Sequence, residues 1–155
     1  MNRFLPVSLL CGAALLGALA SAQAAPSPTI HMSHNVEYMS GGIGKDEAEL
    51  MQTVSPRWPA TFEFAVKDGN KADFAADVRV TVRDSRGMAL LDRVPSDGPF
   101  MVARLQPGDY QVEARLGGET LKQAVHVPAG GPAKTVFMFP AGTDMASHGA
   151  PRTAP

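Results

Sequence analysis

The sequence predicts a mainly β protein, a seven-strand antiparallel β-sandwich preceded by one short helix. Three observations carry that expectation. From Thr61 onward apolar residues recur at every second position, as in Phe62, Phe64 and Val66 or in Val78, Val80 and Val82, which is the period of a half-buried strand. Turn chemistry punctuates the runs at short intervals: Asp84-Ser85-Arg86-Gly87, Pro95-Ser96-Asp97-Gly98, Pro107-Gly108, Gly117-Gly118 and Pro128-Ala129-Gly130-Gly131. A helical period occurs once, ahead of the strands, where Leu50, Met51 and Val54 fall on one face of Lys45–Val54.

The elements follow in order. Residues 1–24 read as a signal peptide, with Arg3 as the charged start, an apolar run to Ala20 and Ala22-Gln23-Ala24 as the small-x-small cleavage site. The mature chain is then expected to begin at Ala25 and to reside in the periplasm, with no stable membrane insertion. The only cysteine, Cys11, leaves with that leader, so neither a disulfide nor a thiolate is expected in the exported protein. Residues 25–35 carry Pro and Ser with no apolar period and are expected to be a flexible lead-in. Residues 36–60 hold a short extended piece, the glycine-dense Ser40-Gly41-Gly42-Ile43-Gly44, and the helix. Asp46 and Glu47 lie in the first turn of that helix, where they complement its dipole, and Ser55-Pro56 stops it.

Residues 61–140 make up the sandwich. Strands are expected within Thr61–Val66, Val78–Val82, Met88–Leu91, Phe100–Leu105, Tyr110–Leu116, Thr120–Val127 and Lys134–Phe139. Gly117-Gly118 has the form of a two-residue hairpin loop with positive φ at both positions. The end of the chain, residues 141–155, is expected to be a disordered tail. Over the full chain 14 Lys and Arg stand against 15 Asp and Glu, interspersed, which argues against nucleic acid or an anionic membrane as a partner.

One stretch points to a family. Asp97-Gly98-Pro99-Phe100 opens a strand that climbs to Leu105, Pro107-Gly108 reverses the chain, and Tyr110-Gln111-Val112-Glu113-Ala114 returns. This unit resembles the carboxypeptidase regulatory-like repeat, and the similarity to carboxypeptidase regulatory-like and transthyretin-like domains runs from about Ala76 to Val127. The resemblance implies a prealbumin- or immunoglobulin-like Greek key, with Phe100 and Tyr110 packed in the core beside Val80 and Val112. The front piece from Tyr38 to Gly44, with its helix, is similar to small exported proteobacterial proteins that place such an element before a single domain of this kind, a likeness that implies no activity. The hydroxyisourate hydrolases of the transthyretin-like fold close with Tyr-Arg-Gly-Ser. This chain closes with Pro151-Arg152-Thr153-Ala154-Pro155, so the hydrolase reading ranks third and no enzyme activity is expected.

Fold alone does not name a function, which has to come from a site. The leading expectation is a non-catalytic binding or accessory module with no cofactor and a ligand the sequence does not specify, another periplasmic or envelope protein being one candidate partner. Trp58, Arg79 and Arg104 are the candidate ligand contacts, against the plainer expectation that Trp58 covers one end of the core and the arginines form a solvated face. The alternative is a weak copper-binding protein in which His31, Met32, His34, Met145 and His148 supply imidazole and thioether ligands suited to copper. Gly41-Gly42-Ile43-Gly44-Lys45 at a helix start has the outline of a phosphate loop, but Met39 stands where its first glycine belongs and Asp46 where Ser or Thr would hold magnesium. A turn leading into the helix is the expectation there. His126 is expected on the solvent side of its strand, opposite Leu121, Val125 and Val127.

Overall fold

The computed structural model describes residues 27–143. The expected signal peptide and its cleavage site lie outside the described residues, as do Met145, His148 and the rest of the expected tail beyond Thr143.

Ten strands, one α-helix and one 3₁₀ turn form the described chain. They run β1 (His31–Ser33), β2 (Val36–Gly41), α1 (Lys45–Val54), the 3₁₀ turn Ser55–Arg57, β3 (Ala60–Asp68), β4 (Lys71–Phe74), β5 (Arg79–Arg83), β6 (Ala89–Pro95), β7 (Phe100–Ala103), β8 (Gly108–Leu116), β9 (Glu119–Val127) and β10 (Ala133–Phe139). One sheet has the order β1-β2-β7-β3-β10, with β4 also paired to β3, and the other has the order β6-β5-β8-β9. The strand count is therefore ten: each of the seven segments expected for the sandwich contains a strand, the short extended piece expected after Val36 is β2, and β1 and β4 are added. The pairing also departs from all-antiparallel, because β10 runs parallel to β3 from Ala133↔Ala60 to Phe139↔Val66.

The expectation of a flexible lead-in is corrected for its described part. Ser33 pairs with Val36, which leaves His34-Asn35 as a two-residue hairpin loop, and both residues take positive φ, at 44° and 66°. That is the type I′ arrangement whose twist suits two flanking strands. At the β8–β9 hairpin the loop is again two residues, between Leu116 and Glu119, but only Gly117 has positive φ, at 56°. A single left-handed residue at the first loop position follows the II′ pattern rather than the expected one with both glycines positive.

Two apolar clusters hold these layers. The larger lies between the sheets and contains Phe62, Phe64, Val80, Val82, Leu91, Met101, Tyr110, Val112, Leu116, Phe137 and Phe139 among others. Phe137 packs edge-on against Phe62 and tilted against Phe64, at centroid distances of 6.2 and 5.8 Å. The smaller cluster, Met39, Met51, Trp58, Phe100 and Val102, sits on the other face of the first sheet, under α1. Phe100 is thus buried, but not beside Val80 and Val112 as expected. Its register opposite Glu63 on β3 and Gly41 on β2 puts it on the helix side, while its neighbour Met101 faces the second sheet. The helix layer explains why β3 is buried on both faces along most of its length. On α1 the inward residue is Met51, with Ala48 and Val54 beside it, and Leu50 turns out to be 39% exposed. Among the described residues no helix is long and apolar enough to cross a membrane.

Candidate functional site

The site is a cleft at one end of the molecule, where three connections meet: the 3₁₀ turn into β3, the β7–β8 turn, and the β9–β10 link. Its volume is about 390 Å³, and Arg57, Trp58, Arg104, Gln106 and Pro128 are among the residues lining it. Prolines recur in all three connections, at Pro56, Pro59, Pro107, Pro128 and Pro132, and fixed φ at so many rim positions gives a surface with little backbone entropy left to lose on binding. The connections are also tied to the body. Ala133 N–H donates to Pro59 O at 2.8 Å, and the Tyr110 hydroxyl donates to Gln106 O at 2.7 Å across the Pro107-Gly108 turn.

Arg104 is the side chain most closely positioned by its surroundings. Its backbone N–H donates to Glu37 O at 2.9 Å, its Nε donates to Glu37 Oε2 at 2.7 Å, and its guanidinium carbon lies 4.5 Å from the centre of the Trp58 ring. A guanidinium over an indole face gains roughly 0.5 to 2 kcal/mol from the ring quadrupole. Among the described residues the two terminal nitrogens of Arg104 have no acceptor, and Arg57, on the same cleft, has no ion-pair partner. Trp58 itself is only 6% exposed, seated in the helix-side cluster with Arg104 over it. The indole therefore anchors the arginine and is not an open stacking platform.

Of the three expected ligand contacts, Trp58 and Arg104 come together here and Arg79 does not. Arg79 lies on the outer face of the second sheet, in a groove with Arg93 and Arg115. Three of the expected metal ligands lie in the β1–β2 hairpin. His31 stacks on Tyr38 at 5.4 Å, Met32, next to it on the same strand, points to the opposite face, and His34 Nδ1 lies 3.1 Å from Ser33 Oγ in the hairpin loop. Met145 and His148 lie outside the described residues. Among the described residues no group of three or more His, Cys, Asp or Glu could hold a metal ion.

The glycine-rich loop before α1 is already occupied by the protein's own anion. Glu47 Oε1 accepts from Gly42 N–H at 2.7 Å and from Ile43 N–H at 3.4 Å. A phosphate drawn to these amides would have to displace that carboxylate, so Glu47 ties the loop back to the first turn of the helix. Sequence reasoning also missed a polar pair on the second sheet. His126 is exposed, as its alternation requires, and its Nδ1 lies 2.7 Å from Asp109 Oδ1 on the neighbouring strand. The register Asp109↔His126 makes the two directly opposite, a pairing that no local pattern reveals. Both side chains are more than two-thirds exposed, so water screens their attraction.

Neither a family model, nor a curated protein, nor a solved structure matches the chain.

Proposed function

We propose that this protein is an exported, non-catalytic binding module of the periplasm, built on a transthyretin-like or carboxypeptidase regulatory-like sandwich, and that it holds an acidic, extended segment of another envelope protein in its end cleft. The observation that carries the proposal is Arg104, oriented by Glu37 and Trp58 while both of its terminal nitrogens remain available beside Arg57. A planar guanidinium with two parallel donors matches a carboxylate bidentately, and orienting it before binding lowers the entropy cost of using it. The proline rim supports the same reading. It offers apolar, preformed walls of the kind that an extended segment packs against, and no part of the arrangement requires chemistry on the ligand.

The chain has one tryptophan, so its fluorescence reports the cleft alone. Titration with a short peptide in which Glu residues alternate with Pro is expected to shift or quench the Trp58 emission, saturably and at micromolar to low millimolar peptide. Arg104→Ala should abolish that response, and Arg57→Gln should weaken it about tenfold, the loss of roughly one charge-assisted contact of about 1.5 kcal/mol. An unchanged emission in the folded wild-type protein, or a response that Arg104→Ala leaves intact, would overturn the assignment.

A further inference from the structure

We infer a second binding site, remote from the end cleft and independent of it: an oxyanion site of the phosphate class on the outer face of the second sheet, formed by Arg79, Arg93 and Arg115. The three line one groove of about 420 Å³ together with Thr81, Asp92 and Glu113. Two features of the backbone bring them together. Arg79 on β5 and Arg115 on β8 are register partners, directly across from each other. Arg93 comes from a break in the β5–β6 register, where it takes φ of 50° and its amide donates to Thr81 Oγ1 at 3.1 Å. A non-glycine residue in the left-handed region carries backbone strain, and here the strained residue is one of the three arginines on the groove.

The charge arrangement points the same way. Like charges directly opposite on paired strands destabilise a sheet, and a carboxylate at either position would have removed the conflict. Of the two carboxylates on the groove, Asp92 pairs with Arg93 itself, its Oδ2 lying 3.5 Å from Arg93 Nη2, while Glu113 is drawn to Lys122, 3.4 Å from its Nζ, so neither neutralises Arg79 or Arg115. Among the described residues neither Arg79 nor Arg115 has an ion-pair partner, and Arg115 uses only its Nε, donating to Thr120 Oγ1 at 3.2 Å. An oxyanion seated between these guanidinium groups converts the mutual repulsion into shared attraction, and several forked donors suit an anion with several equivalent oxygens. The Thr81 hydroxyl lies on the same groove as a further polar group.

The same chemistry could come from free phosphate or from a phosphate-bearing lipid headgroup, and the test separates the two. Inorganic phosphate is titrated against sodium chloride of equal ionic strength while thermal unfolding is followed. For a dissociation constant on the order of 1 mM, 100 mM phosphate should raise the Tm of the wild-type protein by roughly 5 to 10 °C. Phosphate also stabilises proteins non-specifically by exclusion from their surface, so the variants decide the matter. Arg79→Gln and Arg115→Gln should each lose most of the rise, and Arg79→Gln should melt no lower than wild type in phosphate-free buffer because it removes the like-charge pair. Amide shifts on phosphate addition should centre on Thr81, Arg93 and Arg115. Retention of phosphatidylglycerol vesicles, but not phosphatidylcholine vesicles, by the wild type and not by Arg79→Gln would assign the oxyanion to a lipid. If phosphate raises the Tm of both variants as much as that of the wild type, and neither variant differs from it in vesicle binding, the site does not exist.

Discussion

Tyr110 ties a turn to the core with one side chain. Its ring sits between the sheets, 8% exposed, and its hydroxyl reaches Gln106 O on the far side of Pro107-Gly108. Burial raises its pKa above the ordinary tyrosine value of 10.0, and the charge of Asp84 adds to the effect. The sign follows from linkage. The folded state holds the proton more tightly than the unfolded state, so this group's contribution is complete below the ordinary tyrosine range and is lost as pH rises through the raised value. Tyr110→Phe is expected to cost about 1 kcal/mol near neutral pH, the usual worth of one hydrogen bond, and to flatten the alkaline decline in stability. Tyr110→Ala is expected to cost about 3 to 5 kcal/mol, since it also empties an aromatic site in the core. Denaturant melts across pH check all three, and a loss below roughly 1 kcal/mol for the alanine variant would mean that the ring contributes no packing. The burial of Tyr110 was expected from the resemblance of its turn-and-strand unit to the carboxypeptidase regulatory-like repeat. The partner of its hydroxyl was not, because the turn geometry that brings Gln106 back depends on the fold around it.

At the scale of elements, α1 depends on one residue. Met51 is fully buried between the helix and the first sheet, whereas most of the helix surface faces water. A ten-residue helix is too short to persist alone, so its stability comes from packing. Met51→Ala is expected to cost about 2 to 5 kcal/mol and to raise amide exchange throughout α1, with β8 and β9 remaining protected because their cluster is a separate one. Equal loss of protection in β8 would show that the two clusters unfold as one. The bounds of this helix were readable from its first-turn acids and the Ser55-Pro56 stop. Its inward face was read less well: Leu50 shares the apolar arc with Met51, but the sheet reaches only one side of that arc. β1 and β4 were not legible for a different reason. β4 alternates over only four residues and is exposed at all of them, so its pattern marks no core face, and β1 owes its existence to pairing with β2 through the His34-Asn35 turn, where neither residue is glycine.

Across the whole molecule, alternation identifies strands but says nothing about which strands pair, since every half-buried strand carries the same period. The allocation of strands to the two sheets and the parallel β3–β10 pair were therefore outside what local pattern could reveal. That pair joins residues 60–66 to residues 133–139, with the entire second sheet in the intervening chain. Closing so long a loop costs entropy before any contact compensates it, which favours slow folding and late formation of this pairing. Phe137 measures it directly, because its ring bridges Phe62 and Phe64 from β10. Phe137→Ala is expected to lose about 3 to 5 kcal/mol at equilibrium. If the pair forms after the transition state, nearly all of that loss falls on the unfolding rate, which should rise more than about 100-fold while the folding rate changes less than about threefold. A chevron measured by stopped-flow fluorescence of Trp58 resolves the two limbs. A folding limb slowed in proportion to the stability loss would place β3 and β10 in the folding nucleus. The second sheet would then assemble within a loop that had already closed.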